Sequence, residues 1–200
     1  ERGYTVPSWP KEYGGAGLDK NEVVVLQQEM QRINARPALV GMGLSMIGPA
    51  LLEYGTDAQK QKWLPKLASG EMKMAFAITE PNAGSDVASM TTTLTDDGDE
   101  YVINGSKMWI TNGPQAEICV TYANKDPALR HRGVSAFILE RDMSGYSVGK
   151  VEEKMGIACS STSELIYEDV VVPAENLLFS EDKGFNVAMA TLDGGRIGIA

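Results

Sequence analysis

Apolar positions in the first third of the chain recur with the period of an α-helix. They stand at steps of three, four and three residues, at Val23, Leu26, Met30 and Ile33. Such steps place side chains on one helical face. The preceding residues Asp19-Lys20-Asn21-Glu22 have the spacing of a capping box, in which side chains satisfy backbone N–H groups at a helix start. The pattern therefore predicts an amphipathic helix that opens at this box.

Two further helices are predicted before residue 71. A second capping-box pattern, Thr56-Asp57-Ala58-Gln59, opens a segment that carries Trp63 and Leu64. The stretch between the two boxes, residues 37–54, is rich in glycine, alanine and methionine, and this favours a close-packed buried helix. Gly70 ends the helical region. From residue 184 onward the pattern is helical again.

The period of the pattern changes after Glu71. Short runs rich in β-branched and aromatic residues occupy 72–79, 90–95, 101–111, 118–123, 134–140, 146–152 and 164–172. Turn sequences such as Asp96-Asp97-Gly98-Asp99 and Asn112-Gly113-Pro114 separate several of them. Many short strands with turns between them predict an antiparallel sandwich or barrel. The predicted order is helices, an all-β block and a final helix.

Composition and charge exclude several classes of function. The chain is 43% hydrophobic and 22% charged, which is ordinary for a globular protein. It has 18 basic and 27 acidic side chains and a formal net charge of −9. No basic surface that follows a phosphate backbone is expected, so nucleic acid is not a predicted partner. Two cysteines and one histidine are too few for a disulfide framework, a zinc site or a histidine-based triad.

No stretch of this sequence predicts a membrane span or a signal peptide. Its longest uncharged stretch, residues 37–52, is interrupted by glycine and proline and is shorter than the ~20 apolar residues that a spanning helix needs. The sequence begins at Glu1 rather than Met, and its last helical pattern reaches Ala200 without a cap. We therefore expect the 200 residues to be a fragment of a longer protein.

Two stretches carry candidate chemistry. In residues 76–86 a predicted strand runs into a turn that contains Pro81, Gly84 and Ser85. Gly84 permits positive φ and a close approach of the backbone to a ligand, and exposed N–H groups with the Ser85 hydroxyl suit phosphate oxygens. The alternative is an ordinary turn capped by a short polar side chain.

The second stretch, residues 104–113, places an indole beside a hydroxyl. Trp109 and Thr111 share one face of a predicted strand, because side chains alternate with period two. The indole is suited to cover a planar heterocycle while the hydroxyl bonds to its edge. The alternative is a half-buried strand aromatic with no ligand.

Taken together, several strings in this order resemble the acyl-CoA dehydrogenase family. They are WPKEYGGAG at 9–17, KWLPKLASGE at 62–71, TEPNAGSD at 79–86, NGSK at 104–107, WITN at 109–112, MG at 155–156, SST at 160–162, ED at 168–169, VP at 172–173 and LDGGR at 192–196. The resemblance extends over essentially all 200 residues. The ending LDGGRIGIA is most similar to short-chain, butyryl-CoA-type members.

The resemblance implies three domains. An incomplete N-terminal helical domain would span residues 1–72, and a middle antiparallel β-barrel or sandwich domain that binds flavin would span 73–178. Residues 179–200 would begin a C-terminal helical bundle, with FAD bound between the last two domains.

The resemblance also implies site residues. FAD would be held by Phe76, Ala77, Ile78, Thr79, Glu80, Pro81, Asn82, Ala83, Gly84 and Ser85, mainly through backbone groups and the Thr79 hydroxyl. Trp109, Ile110 and Thr111 would line its other side, with Trp109 against the ring and Thr111 near flavin N5. The acyl-CoA would contact Ser85, Asp193, Gly194, Gly195 and Arg196.

The implied reaction removes an α-proton as a β-hydride passes to flavin N5, which converts an acyl-CoA to a trans-2-enoyl-CoA. Hydrogen bonds to the thioester oxygen in a water-excluded pocket would stabilise the developing enolate. The base implied by the resemblance is a glutamate beyond Ala200, so no catalytic acid or base is predicted in this chain. Glu80 is interpreted as a structural or cofactor-adjacent residue. The 200 residues alone are expected to be inactive.

Three alternatives remain open at this point: an enoyl-CoA reductase or an acyl-CoA oxidase on the same scaffold, and a non-catalytic flavin-binding fragment. The resemblance implies an electron-transfer flavoprotein as redox partner and a homotetramer for the complete protein. It also implies the bacterial cytoplasm or the mitochondrial matrix as the compartment, rather than secretion.

Overall fold

A computed structural model describes residues 2–37 and 39–199, with side chains described as far as residue 193. The α-helices are α1 (Lys20–Arg32), α2 (Gly48–Tyr54), α3 (Asp57–Ser69) and α4 (Gly184–Ile199). The strands are β1 (Met74–Ala77), β2 (Thr93–Asp96), β3 (Glu100–Thr111), β4 (Ile118–Asn124), β5 (Val134–Glu140), β6 (Tyr146–Val151), β7 (Thr162–Pro173) and β8 (Leu177–Leu178). Among these described residues, no helix has the length and apolar character that crossing a membrane requires.

Both predicted capping boxes are present and start the helices that they predict. The Asp19 side chain accepts from backbone N–H groups of α1, and Glu22 returns a bond to the Asp19 N–H at 2.8 Å. Thr56 and Gln59 form the same reciprocal pair at the start of α3. Gly70 ends α3 in the left-handed conformation that glycine adopts without strain.

The prediction of one helix over residues 37–54 is wrong in its first part. A π-helical turn begins only at Gly43 and runs to Ile47, where it continues into α2. Pro49 is the second residue of α2, directly after this π-helical turn. The local composition suited a helix, but it contained no capping signal to set where the helix begins.

The β-block forms one eight-stranded mixed sheet in the order β6-β7-β3-β2-β4-β5-β8, with β1 paired to β4 outside that path. Most neighbours are antiparallel, as predicted, but two strands run parallel to β4: β1, with Phe76 opposite Val120, and β2, with Thr93 opposite Asn124. A parallel neighbour arises because about forty residues separate β1 from β4, which is ample for a crossover. The two-residue strand β8 has no periodic pattern long enough to predict it.

Two apolar clusters hold the helices and the sheet together. One joins the N-terminal helices, one face of the sheet and α4, through residues such as Trp9, Trp63, Phe76, Tyr122 and Val187. The other is formed by side chains on the opposite face of the sheet and includes Ala75, Tyr101, Phe137 and Tyr167. Neighbours on β1 therefore face different clusters, so this strand is buried on both sides and its end is held rigidly. The predicted N-terminal helical part and middle β-part are confirmed.

Candidate functional site

The turn that follows β1 presents free backbone N–H groups to solvent. Glu80 and Ala83 exchange two backbone hydrogen bonds of 3.1 Å, which close a tight turn. The next residues, Gly84, Ser85 and Asp86, are exposed, and among the described residues their N–H groups donate to no backbone carbonyl. Consecutive free N–H groups in such a turn are suited to bind an anion.

The end of β3 places Trp109 beside this turn. The pairing of β3 with β7 shifts register between Lys107 and Ile110, which marks a β-bulge. Within it Trp109 has φ 62° and is 56% exposed, a conformation that is uncommon for a bulky residue. The Met108 N–H donates to the Thr79 carbonyl at 2.8 Å. The bulge therefore leaves the indole exposed, and the backbone beside it is bonded to Thr79, where the turn begins.

A cavity of about 330 Å³ lies between this turn and α4. It is lined by Ile78, Thr79, Gly84, Ser85, Asp86, Val87, Ala88, Phe185, Met189 and Leu192. The turn supplies hydroxyl and backbone groups, and α4 supplies an apolar wall. An apolar cavity of this size with a few convergent polar groups is typical of a small-molecule site.

Beneath the turn lies a buried ion pair between Glu80 and Lys107. Lys107 Nζ donates to Glu80 Oε1 at 2.8 Å, and the two side chains are 0% and 3% exposed for the lysine and the glutamate. The backbone N–H and hydroxyl of Thr91 donate to Oε2, and those of Thr92 donate to Oε1. The carboxylate thus accepts five hydrogen bonds, and Glu80 does not line the cavity.

These contacts set the ionisation of the pair. Burial raises the pKa of Glu80, but the Lys107 charge and the hydrogen bonds from Lys107, Thr92 and Thr91 outweigh it and lower the pKa from 4.5 to about 2. A carboxylate with this pKa does not take up a proton at neutral pH.

The predicted cofactor residues fall into a buried and an accessible group. The buried side chains are those of Phe76, Ala77, Ile78, Glu80, Ala83 and Ile110. Apart from Ile78, which lines the cavity, they form the interior beneath the site, so a ligand would meet mainly their backbone groups. The exposed or half-buried ones are Thr79, Pro81, Asn82, Gly84, Ser85, Trp109 and Thr111.

The structure does not bring every predicted site residue to one cavity. Thr79 and Ser85 line the cavity beside α4, whereas Thr111 lines a second cavity of about 520 Å³ with Asn112 and Ser160. Asp193 is exposed on α4, one residue beyond Leu192. The backbone of residues 194–196 lies in α4, and the side-chain prediction for Gly194, Gly195 and Arg196 lies outside the described part.

Sequence reasoning missed three residues of this region. They line the cavity from α4: Phe185, Met189 and Leu192. Their spacing of four and three residues is that of one helical face, so the sequence could have predicted that they lie together. Lys107 has the same parity along β3 as the buried Tyr101 and Ile103. That parity indicated an inward lysine, although the sequence did not reveal its partner.

The fold and the cavity define a protein with a ligand-sized site between a β-domain and the helix that follows it. Two family models match this chain: "Acyl-CoA dehydrogenase, N-terminal domain" over residues 1–71 and "Acyl-CoA dehydrogenase, middle domain" over residues 75–170. The chain belongs to the acyl-CoA dehydrogenase family. Members of this family are FAD-dependent oxidoreductases.

Individual relatives agree with this assignment. The chain is 47% identical to a short-chain specific acyl-CoA dehydrogenase of Clostridium acetobutylicum, over 95% of this chain and 50% of that protein. It is 44% identical to a caffeyl-CoA reductase–Etf complex subunit of Acetobacterium woodii, over 96% and 51%. The structure of butyryl-CoA dehydrogenase from Megasphaera elsdenii is similar, with TM-score 0.84 and 40% identity over 98% and 53%. The chain spans about half the length of the relatives that it matches.

Proposed function

We propose that the protein containing this chain carries out the FAD-dependent oxidation of a short-chain acyl-CoA to the trans-2-enoyl-CoA. The observation that carries the proposal is the 2.8 Å hydrogen bond from Met108 N–H to the Thr79 carbonyl. It joins the backbone next to the exposed Trp109 to the start of a turn with hydroxyl and free N–H groups. That turn opens on an apolar cavity, as a flavin next to an acyl thioester requires.

The donor set of this region fits a flavin. Trp109 offers an exposed aromatic face for a planar ring, and the hydroxyls of Thr79 and Thr111 offer donors and acceptors for its polar edge. Free N–H groups at residues 84–86 suit phosphate oxygens. We therefore assign flavin binding to residues 76–85, mainly through backbone groups, and to 109–111. FAD, when bound, supplies the acceptor for the substrate's β-hydride.

We assign the acyl thioester to the cavity between Ser85 and α4. The Ser85 hydroxyl and residues 193–196 would contact the acyl-CoA, while Phe185 and Met189 exclude water from the acyl chain. Exclusion of water strengthens hydrogen bonds to the developing enolate oxygen. Glu80 is unsuited as the base, because its carboxylate is buried, does not line the cavity and has a pKa of about 2. We place the base outside residues 1–200.

The test is an anaerobic titration of the complete polypeptide with butyryl-CoA. Bleaching of the flavin's visible absorbance, slow re-oxidation in air and fast re-oxidation by an electron-transfer flavoprotein are expected. Rapid re-oxidation in air would identify an oxidase instead. Bound flavin that no acyl-CoA bleaches would contradict the proposal and favour a non-catalytic flavin-binding module.

An enoyl-CoA reductase is the second candidate. It is supported by the 44% identity to a subunit named as a caffeyl-CoA reductase–Etf complex component. Reduction and oxidation use the same contacts in opposite directions. The ratio of initial rates with butyryl-CoA and with crotonyl-CoA, measured with the physiological carrier, decides between them.

The contact between Trp109 and the flavin has its own test. Trp109→Ala removes an aromatic face worth about 1 kcal/mol in a stacked pair, so the dissociation constant for FAD should rise about fivefold to tenfold. Trp109→Phe is the matched control because it keeps a planar ring at the same backbone position. Equal FAD affinity in the wild type and Trp109→Ala would remove Trp109 from the site.

The remaining assignments concern the complete protein. We infer an electron-transfer flavoprotein as its redox partner, a homotetramer as its assembly and domain boundaries after residues 72 and 178. These rest on family membership and, for the partner, on the Etf-complex relative. Relatives come from bacteria and from mitochondria, and on that ground we place the protein in the bacterial cytoplasm or the mitochondrial matrix.

A further inference from the structure

The buried Glu80–Lys107 pair joins the two segments that flank the proposed flavin site. Glu80 opens the turn after β1, and Lys107 stands at the start of the bulge in β3. Lys107 Nζ also approaches the Ile78 carbonyl at 3.5 Å, and the neighbouring Met108 N–H donates to Thr79. Residues 78–80 and 107–108 are thus connected at three points, all of them at or next to Thr79 and within two residues of Trp109.

The surroundings of the pair hold it in one geometry. Its five hydrogen bonds to Glu80 come from three residues on two separate segments, 91–92 and 107. Trp109, two residues beyond Lys107, has φ 62°. A bulky residue stays in this region only where neighbouring structure over-determines the conformation. The pair supplies such a restraint on the N-terminal side of the bulge.

The buried Glu80–Lys107 pair is not explained by a gain in the free energy of unfolding. Replacement of a buried ion pair by apolar groups of similar volume is often neutral or stabilising, because desolvation offsets the attraction between the charges. An ion pair with fixed donors does, however, define one distance and one direction between the segments that carry it. The feature that depends on such a distance is the gap between Thr79 and Trp109.

We propose that the Glu80–Lys107 ion pair is a positioning element that sets the spacing of Thr79 and Trp109 and thereby the affinity and the spectrum of the bound flavin. The proposal rests on the proposed function, because it takes the ligand between these residues to be FAD. Neither charged group touches the flavin in this account; both act through the backbone of residues 79 and 109.

The test uses the complete polypeptide and the paired substitution Glu80→Gln with Lys107→Met, which removes both charges and nearly preserves their volume. Its matched control is Lys150→Met, which removes an exposed lysine from a pair with the half-buried Glu152 of similar N–O distance, 2.9 Å. The measurements are the dissociation constant for FAD, the visible spectrum of bound flavin and the melting temperature of the apoprotein.

We expect the paired variant to bind FAD at least tenfold more weakly and with a shifted flavin spectrum, while its apoprotein still unfolds cooperatively, about 2–12 °C below the wild type. Lys150→Met should leave the affinity and spectrum unchanged. Wild-type affinity and spectrum in the paired variant would overturn the proposal. If the paired variant does not fold, Glu80→Asp is measured in the same way, because it keeps both charges and shortens the carboxylate side chain by one methylene. A wild-type affinity and spectrum in Glu80→Asp overturn the proposal equally.

Failure of the proposed function gives a different result. A wild-type protein that binds FAD but is not bleached by acyl-CoA removes the reaction and leaves the positioning role testable by affinity and spectrum. A wild-type protein that binds no FAD removes both.

Discussion

Removal of Lys107 alone should destabilise the β-domain far more than removal of the whole ion pair. Lys107→Met leaves the Glu80 carboxylate buried with no cation, and breaking a buried pair in this way costs about 3–5 kcal/mol. Glu80→Gln leaves the Lys107 ammonium without its counter-charge and should cost a comparable amount. These values approach a large share of the ~5–15 kcal/mol that stabilises a typical domain.

The paired variant should lose much less. Once both charges are gone, the chief defect is a donor of Thr91 or Thr92 that faces the glutamine amide rather than an oxygen, at about 1–3 kcal/mol. The sum of the two single effects therefore exceeds the paired effect by about 3 kcal/mol or more, which is a coupling energy between residues in contact.

Equilibrium urea unfolding of the apoproteins measures these differences. Hydrogen exchange of residues 74–80 and 100–111 assigns them to the segments that the pair connects. Strictly additive single effects would refute the reasoning, because they would mean that Glu80 and Lys107 do not stabilise each other's charge.

Three further outcomes follow from the same structure. The pKa of Glu80 falls from 4.5 to about 2 on folding, so its contribution is present above pH 4.5 and is lost as the pH falls towards 2; at about 1.4 kcal/mol per pH unit it amounts to about 3 kcal/mol. Urea unfolding between pH 6 and pH 3 should show this slope in the wild type and not in Glu80→Gln. Gly105→Ala should cost about 2–3 kcal/mol in the same assay, because Gly105 has φ 147° and a Cβ there would lie 2.7 Å from Thr92 Oγ1; a loss below 0.5 kcal/mol would contradict this. Thr56→Ala should cost about 1 kcal/mol through loss of the cap on α3, and Thr56→Ser, which keeps the hydroxyl, should lose much less.

Local signals predicted the parts of the fold that depend on a few neighbouring residues. The boxes at Asp19 and Thr56 each act within four residues, and both helices start where the boxes place them. The bounds of β5, Val134–Glu140, agree with the predicted run 134–140. Periodicity also predicted an apolar face on α1, but no residue of α1 is buried among the described residues. Periodicity identifies an apolar face and does not tell which part of the protein covers it.

Features that depend on distant partners were not predicted. The bulge in β3 arises from its pairing with β7, so the alternation of its own side chains does not locate it. The inward position of Lys107 follows from parity, but its ion pair joins residues 27 apart in the sequence. The motifs at 79–86 and 109–112 identified candidate residues, whereas only the three-dimensional structure separates Thr79 and Thr111 into different cavities.

The two ends of the turn at residues 80–86 are held in physically different ways. Glu80 is fixed by a buried ion pair, whereas Asp86 pairs with Arg130 through two contacts of 2.9 Å between side chains that are 58% and 55% exposed. An exposed pair of this kind contributes about 0–1 kcal/mol and competes with water. The end at Glu80 therefore keeps its distance to β3, while the end at Ser85 and Asp86 can adjust when a ligand enters the cavity. A site that must hold a cofactor in register and still admit a substrate needs this division, with the rigid end beside Trp109 and the adjustable end beside α4.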